Sequence, residues 1–174
     1  MLCPAAQAQQ PFTRGYIFIA PTPTVGPDFS GSAPFGILPA PTSAATVPTG
    51  NNWYSAGGGV EHVFGNHLGA GLDLAAILPG QGKVFPNTIG VVSPTLYAHL
   101  SSNAKTDVFA LGGYSLLVRD FTANAVNVGI GVNYWFHENT GLMVSSRAVI
   151  VPDYTWPKPP KQYYVEIRFG LTFR

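Results

Sequence analysis

Between residues 126 and 137 the chain alternates without a break. Val126, Val128, Ile130, Val132, Tyr134 and Phe136 take the even positions, and Asn127, Gly129, Gly131, Asn133, Trp135 and His137 take the odd ones. Successive side chains of a strand point to opposite sides, so a period of two marks a β-strand with one apolar face. Residues 163–174 repeat the pattern: Tyr163, Val165, Ile167, Phe169, Leu171 and Phe173 share one side, and Tyr164, Glu166, Arg168, Gly170, Thr172 and Arg174 share the other. A slip of one residue would turn Glu166 and Arg168 into the apolar layer, which fixes the register.

Further runs follow the same rule. In 68–78, Leu68, Ala70, Leu72, Leu74, Ala76 and Leu78 oppose Gly69, Gly71, Asp73 and Ala75; in 140–150, Leu142, Val144, Ala148 and Ile150 oppose Gly141, Ser145 and Arg147. Runs 53–64 (Tyr54, Ala56, Val60, Phe64 against Trp53, Ser55, Gly57, Gly59, Glu61) and 90–100 (Val92, Leu96, Leu100 against Ser93, Thr95, His99) alternate less regularly. Segment 108–119 is apolar on both parities, and 14–22 is short and runs into Pro21. Together these make eight strands.

The composition restricts where such strands can sit. Only 10% of the 174 residues are charged while 46% are hydrophobic, against ~25% charged in a typical soluble domain. The formal net charge of +1 offers no clustered basic face, so nucleic acid is not an expected partner. Disorder would accommodate 20 Gly and 16 Pro, but 13% aromatics and a mean hydropathy of +0.17 supply apolar surface to bury. No segment reaches the ~18 uncharged apolar residues of a helical span, and Asp73 interrupts the best candidate. A membrane-spanning chain without such helices must be a closed barrel, the other structure that satisfies all its backbone groups in lipid. The expectation is therefore all-β: an eight-stranded antiparallel up-and-down transmembrane β-barrel.

The connections and faces set its orientation. Short connections (Gly65-Asn66-His67, 101–106 and Glu138-Asn139) alternate with long ones (25–50, 79–89 and 151–161), with 120–125 shorter than that pattern. Outer-membrane barrels have tight periplasmic turns and long external loops. A soluble lipocalin-like barrel would invert the faces, but its water-facing parity would carry many Lys and Glu. Here that parity holds mainly Gly, Ser, Thr and Asn, and Lys83, Lys105, Lys158 and Lys161 all fall in loops or turns. Aromatics on the apolar parity gather near strand ends: Tyr54 and Tyr163 at the loop end, and Phe64, Tyr134, Phe136, Phe169 and Phe173 at the turn end. They read as the two girdles of a lipid-facing band.

On these residues the chain resembles the small eight-stranded OmpA/OmpX-type outer-membrane barrels over roughly residues 12–174. The most specific element is the closing strand 163–174, which is similar to the C-terminal signal read by the barrel-assembly machinery; here Arg174 follows the final aromatic. The segment 129–136 also resembles the penultimate hairpins of such proteins. The resemblance implies a bacterial outer-membrane location, a partner in that assembly machinery, and contact with outer-membrane lipid and lipopolysaccharide.

Residues 1–8, with Ala6-Gln7-Ala8 in small-x-small form, read as the tail of a secretory signal, leaving 9–174 as one barrel domain. Cys3, the single cysteine, lies in that tail, so no thiol chemistry or disulfide framework is expected. Glu61, Asp73, Arg147, Glu166 and Arg168 all fall on the inward parity, where charge at membrane depth is tolerable. With Tyr97 and Trp135 they are expected to plug an interior just wide enough for side chains, or to line a narrow ion path. Lipid A-modifying enzymes share this architecture, and His99-Leu100-Ser101 superficially matches a deacylase His-x-Ser pair. However, the next glutamate is Glu138, and the topology puts His99 at the periplasmic end. His62, His67 and His137 read as interfacial residues rather than metal ligands; neither enzyme activity nor a cofactor is expected. The loop 25–50, where Pro27, Pro34, Pro39, Pro41 and Pro48 alternate with Phe29, Phe35, Ile37 and Leu38, either packs over the barrel mouth or contacts another protein.

Overall fold

The computed structural model describes residues 11–23, 52–65, 67–79, 88–103, 105–118, 122–151 and 162–174. They form eight strands: β1 (Phe12–Pro23), β2 (Asn52–Phe64), β3 (Leu68–Pro79), β4 (Ile89–Ser102), β5 (Thr106–Val118), β6 (Thr122–Trp135), β7 (Thr140–Val151) and β8 (Gln162–Phe173). Each pairs antiparallel with the next, and β8 pairs with β1 to close the cylinder. Closure leaves no sheet edge. Strands of 12 to 14 residues, rising ~3.3 Å per residue and tilted ~40°, reach ~30 Å, the thickness of a bilayer's hydrocarbon core.

The two faces separate as the alternation requires. Ile130 is 64% exposed, Leu96 68% and Ile19 67%, on the outside of the cylinder, while Glu61, Asp73 and Arg147 are 2% or less exposed inside it. A folded chain that turns its aliphatic residues outward and its charges inward fits a hydrocarbon surround, not water. The segment with apolar residues on both parities resolves as β5, with Phe109, Leu111 and Leu117 inward and Val108, Tyr114 and Val118 outward.

The strand limits differ from the expectation in three places. β1 continues through Pro21 to Pro23, pairing with β2 along its whole length, but it pairs with β8 only over Gly15–Ile19. Proline has no N–H to donate, so it is tolerated where the ladder to one neighbour has ended. β6 begins at Thr122, inside the segment 120–125 read as a connection, because Ala123 and Ala125 pair with Leu117 and Ser115. β4 runs to Ser102, two residues into the expected 101–106 turn, with a bulge between His99 and Ser101. Gly65, at the β2–β3 turn, adopts φ 59°, the left-handed conformation that glycine accepts without steric cost.

Inward glycines have a second use, as space. A Cβ on Gly131 would meet the Phe109 ring and lie 2.7 Å from the Ser145 Cβ. Phe109 is 2% exposed and has nowhere to retreat. Gly131→Ala should therefore lower unfolding stability by ~1–3 kcal/mol, the usual penalty of overpacking; Gly65→Ala, strained at its turn with open space around it, makes a useful control in the same urea titration.

Candidate functional site

Inward side chains lie in layers along the lumen. Nearest the turns, Arg14 of β1 donates through Nε to Glu61 Oε2 at 2.8 Å and through Nη1 to Asp107 Oδ2. His99 on β4 lies between the same two carboxylates, with Nε2 2.9 Å from Glu61 Oε1 and Nδ1 2.8 Å from Asp107 Oδ1. The result is a closed ring of four groups, Arg14–Glu61–His99–Asp107, drawn from β1, β2, β4 and β5. Asn133 of β6 adds a donor to Asp107 Oδ2 at 3.2 Å. Phe109 lies beneath it, its ring centroid 5.5 Å from the Arg14 guanidinium carbon. With both carboxyl groups ionised they only accept, and an imidazole bonded to the two of them then donates from both nitrogens and carries a positive charge. That charge balances the ring at two positive and two negative groups.

The next inward positions on β1 and β4 are Tyr16 and Tyr97, whose hydroxyls meet at 2.8 Å. Beyond them a second cluster joins β3, β7 and β8. Arg168 donates through Nε to Glu166 Oε2 at 2.7 Å and through Nη1 to Asp73 Oδ2 at 3.2 Å, and Arg147 Nη2 pairs with Asp73 Oδ2. Phe18 lies under Arg168, 4.0 Å from guanidinium carbon to ring centroid. On the other wall, Asn127 donates to Ser115 Oγ at 2.8 Å, and Ser115 Oγ meets Ser93 Oγ at 2.7 Å. Toward the loop end the lining becomes apolar: Ile77, Ile89, Val91, Leu117, Ala125, Val149 and Tyr164 pack together.

All five charges assigned to the interior from sequence, Glu61, Asp73, Arg147, Glu166 and Arg168, lie there, each 4% exposed or less. They do not form one network: Glu61 belongs to the ring and the other four to the second cluster. Arg14, His99 and Asp107 complete the ring; the sequence marks His99 for a different role, in the His-x-Ser pair, and does not mark Arg14 or Asp107. Only parity could have marked them: His99 was already on the polar side of its run, whereas Arg14 and Asp107 stood at the edges of the two irregular segments. Tyr97 and Trp135 are both buried, and the guanidinium of Arg174 covers the Trp135 ring at 4.2 Å while its Nε donates to Glu138 O at 2.8 Å.

Of the aromatics assigned to girdles, Tyr54, Phe64, Tyr134, Phe136 and Phe173 are exposed near strand ends. Phe169 is exposed too, but it pairs with Ile19 and Val144, four positions in from Phe173, within the band rather than at its rim. The Tyr163 side chain lies outside the described residues, as do residues 1–10 and the whole of the 25–50 loop. Tyr114, exposed on β5 four positions in from Val118 and hydrogen-bonded to Asn124, is a further outward aromatic of the band. The His99-Leu100-Ser101 pair does not assemble: both His99 nitrogens are taken by carboxylates inside the barrel, and Ser101 follows the bulge and is exposed.

No protein-family model and no curated protein sequence matches the chain. Solved structures do. The N-terminal β-barrel domain of Pseudomonas aeruginosa OprF superposes with a TM-score of 0.63 at 12% identity, covering 96% of this chain and 98% of that one. Neisserial surface protein A superposes with a TM-score of 0.56, also at 12% identity and with coverage of 96% and 98%. This chain has the fold of the small outer-membrane barrels. At that identity the likeness concerns the cylinder and its strand order. The outer-membrane-barrel fold explains the lumen's construction: eight strands leave room for side chains and little else, so inward charges must pair across the cylinder.

Proposed function

We propose that the protein is a structural or interaction barrel of the bacterial outer membrane, without enzymatic activity, whose lumen is plugged by its own side chains. One observation carries this reading: two ion-pair clusters tie together strands from every side of the cylinder, and the apolar cluster around Tyr164 packs above them. Each charged side chain of the two clusters is held in at least one ion pair, which favours neither a free nucleophile nor a carrier site for ions. Its partners would be lipopolysaccharide and phospholipid around the band, the assembly machinery through β8, and another protein through the loop 25–50.

The test has two parts. Refolded in detergent, the chain should show a β spectrum by circular dichroism and migrate differently on SDS gels with and without boiling. A chain that stays in solution without detergent and shows no shift would overturn the membrane location. In planar bilayers the refolded protein should give no channel openings; regular openings would favour the narrow-path reading. The deacylase reading would be revived only by lipid A deacylation that is lost on His99→Ala.

A further inference from the structure

Every exposed ionisable side chain among the described residues lies at the turn end: His62, His67, Lys105, His137, Glu138 and Arg174. All are basic except Glu138. Two of them flank one indole. The backbone N–H of Trp135 donates to Lys105 O at 2.7 Å, which brings the β4–β5 turn against the end of β6. The Arg174 guanidinium lies over the Trp135 ring, and the backbone N–H of Arg174 donates to Asn139 O at 3.2 Å. Arg174 Nε is engaged by Glu138 O, while its two terminal nitrogens have no hydrogen-bond or ion-pair partner among the described residues.

A guanidinium stacked on an indole and fixed at Nε holds its remaining N–H donors in one orientation, which suits two oxygens of a single phosphate. The same rim borders the outward aromatics Tyr134, Phe136 and Phe173. Aromatic side chains so placed mark the boundary between hydrocarbon and headgroups. A free anion would use the cations and leave that apolar border unused, whereas a lipid with an anionic headgroup engages both. We infer that the turn-end rim around Trp135 binds an anionic phospholipid of the adjoining leaflet, with its phosphodiester on Arg174 and Lys105 and its acyl chains along Tyr134, Phe136 and Phe173. Glu138 offsets one of the two full positive charges, so selection comes from the fixed guanidinium as well as from net charge. The site rests on the outer-membrane reading and adds to it a lipid class and a side of the band.

The experiment uses the full-length chain refolded in dodecylmaltoside micelles, its folded state checked by the heat-dependent gel shift. Dihexanoyl-phosphatidylglycerol is titrated in while NMR follows the Trp135 indole N–H. A saturable shift is expected at roughly tenfold lower concentration than with dihexanoyl-phosphatidylcholine, the scale set by one or two cations beside an anionic lipid. Arg174→Ala should remove that preference and Lys105→Ala should reduce it; Arg174→Lys, which keeps the charge without the planar fork, should fall between wild type and Arg174→Ala. An equal response to the two lipids in the heat-shifted barrel, or a preference unchanged in both alanine variants, would overturn the inference and leave the membrane location standing. Inorganic phosphate that produces the same shift at the same concentration would overturn it too, by showing an anion site indifferent to acyl chains. Absence of the gel shift would strike the membrane reading itself before any lipid is added. The wild-type comparison of the two lipids decides even if a variant does not fold.

Discussion

Arg14→Met should be among the most destabilising single substitutions in this barrel, costing ~3–5 kcal/mol of unfolding free energy. That is the range seen when one partner of a buried ion pair is removed. Methionine keeps much of the side-chain volume but leaves Glu61 and Asp107, 1% and 4% exposed, sharing only His99 as a counter-charge. The measurement is equilibrium urea unfolding of the refolded protein in lipid vesicles. Adding Glu61→Gln to the variant should recover part of the loss, because it removes one of the two stranded charges. Such non-additivity is what a shared network produces. A loss below ~1 kcal/mol, the value of a solvated ion pair, would mean that the ring is open to water.

The second large effect is expected on the opposite surface. Ile130 is 64% exposed and pairs with Ala110 and Ser146 near the middle of the band. Ile130→Arg should cost ~2–4 kcal/mol in a bilayer, the penalty for a cation on the lipid face at the midplane. In a soluble barrel the same substitution would replace an exposed aliphatic residue by a charged one and change stability by ~0.5 kcal/mol or less. The result therefore discriminates between the two environments without reference to any partner. Moving the arginine to the rim, at Phe173, should reduce the penalty to ~0–1 kcal/mol, since the cost falls toward the interface.

Strand faces were legible in the sequence because they are local. The run 126–137 displays its inside and outside residue by residue, and β8 does so equally clearly. The content of the lumen was only half legible. Glu61, Asp73, Arg147, Glu166 and Arg168 could be assigned a direction by parity, but not a partner, because which inward groups meet depends on the closure of the cylinder. Arg14 and Asp107 were hidden for a more specific reason. β5 carries apolar residues on both faces, since Phe109, Leu111 and Leu117 fill the lumen that Val108 and Val118 turn away from, so it never displays a polar side. β1 approaches Pro21, which reads as a terminator yet is accommodated because the strand has by then left its β8 neighbour. The apolar cluster around Tyr164 was similarly unanticipated: a rule that puts polar residues inside does not allow for an aliphatic seal at one end.

The ring of Arg14, Glu61, His99 and Asp107 has a kinetic consequence. Arg14 and Asp107 are 93 positions apart in sequence, and Arg168 and Asp73 are 95 apart. Contacts of such long range bring little reward until most of the chain between them is in place. They should therefore be absent from the transition state for insertion and present only once the cylinder has closed. Interactions of that kind slow escape without hastening entry. Arg14→Met should leave the refolding rate nearly unchanged and accelerate unfolding, so the charges in the lumen serve the barrel as a lock on its lifetime in the membrane.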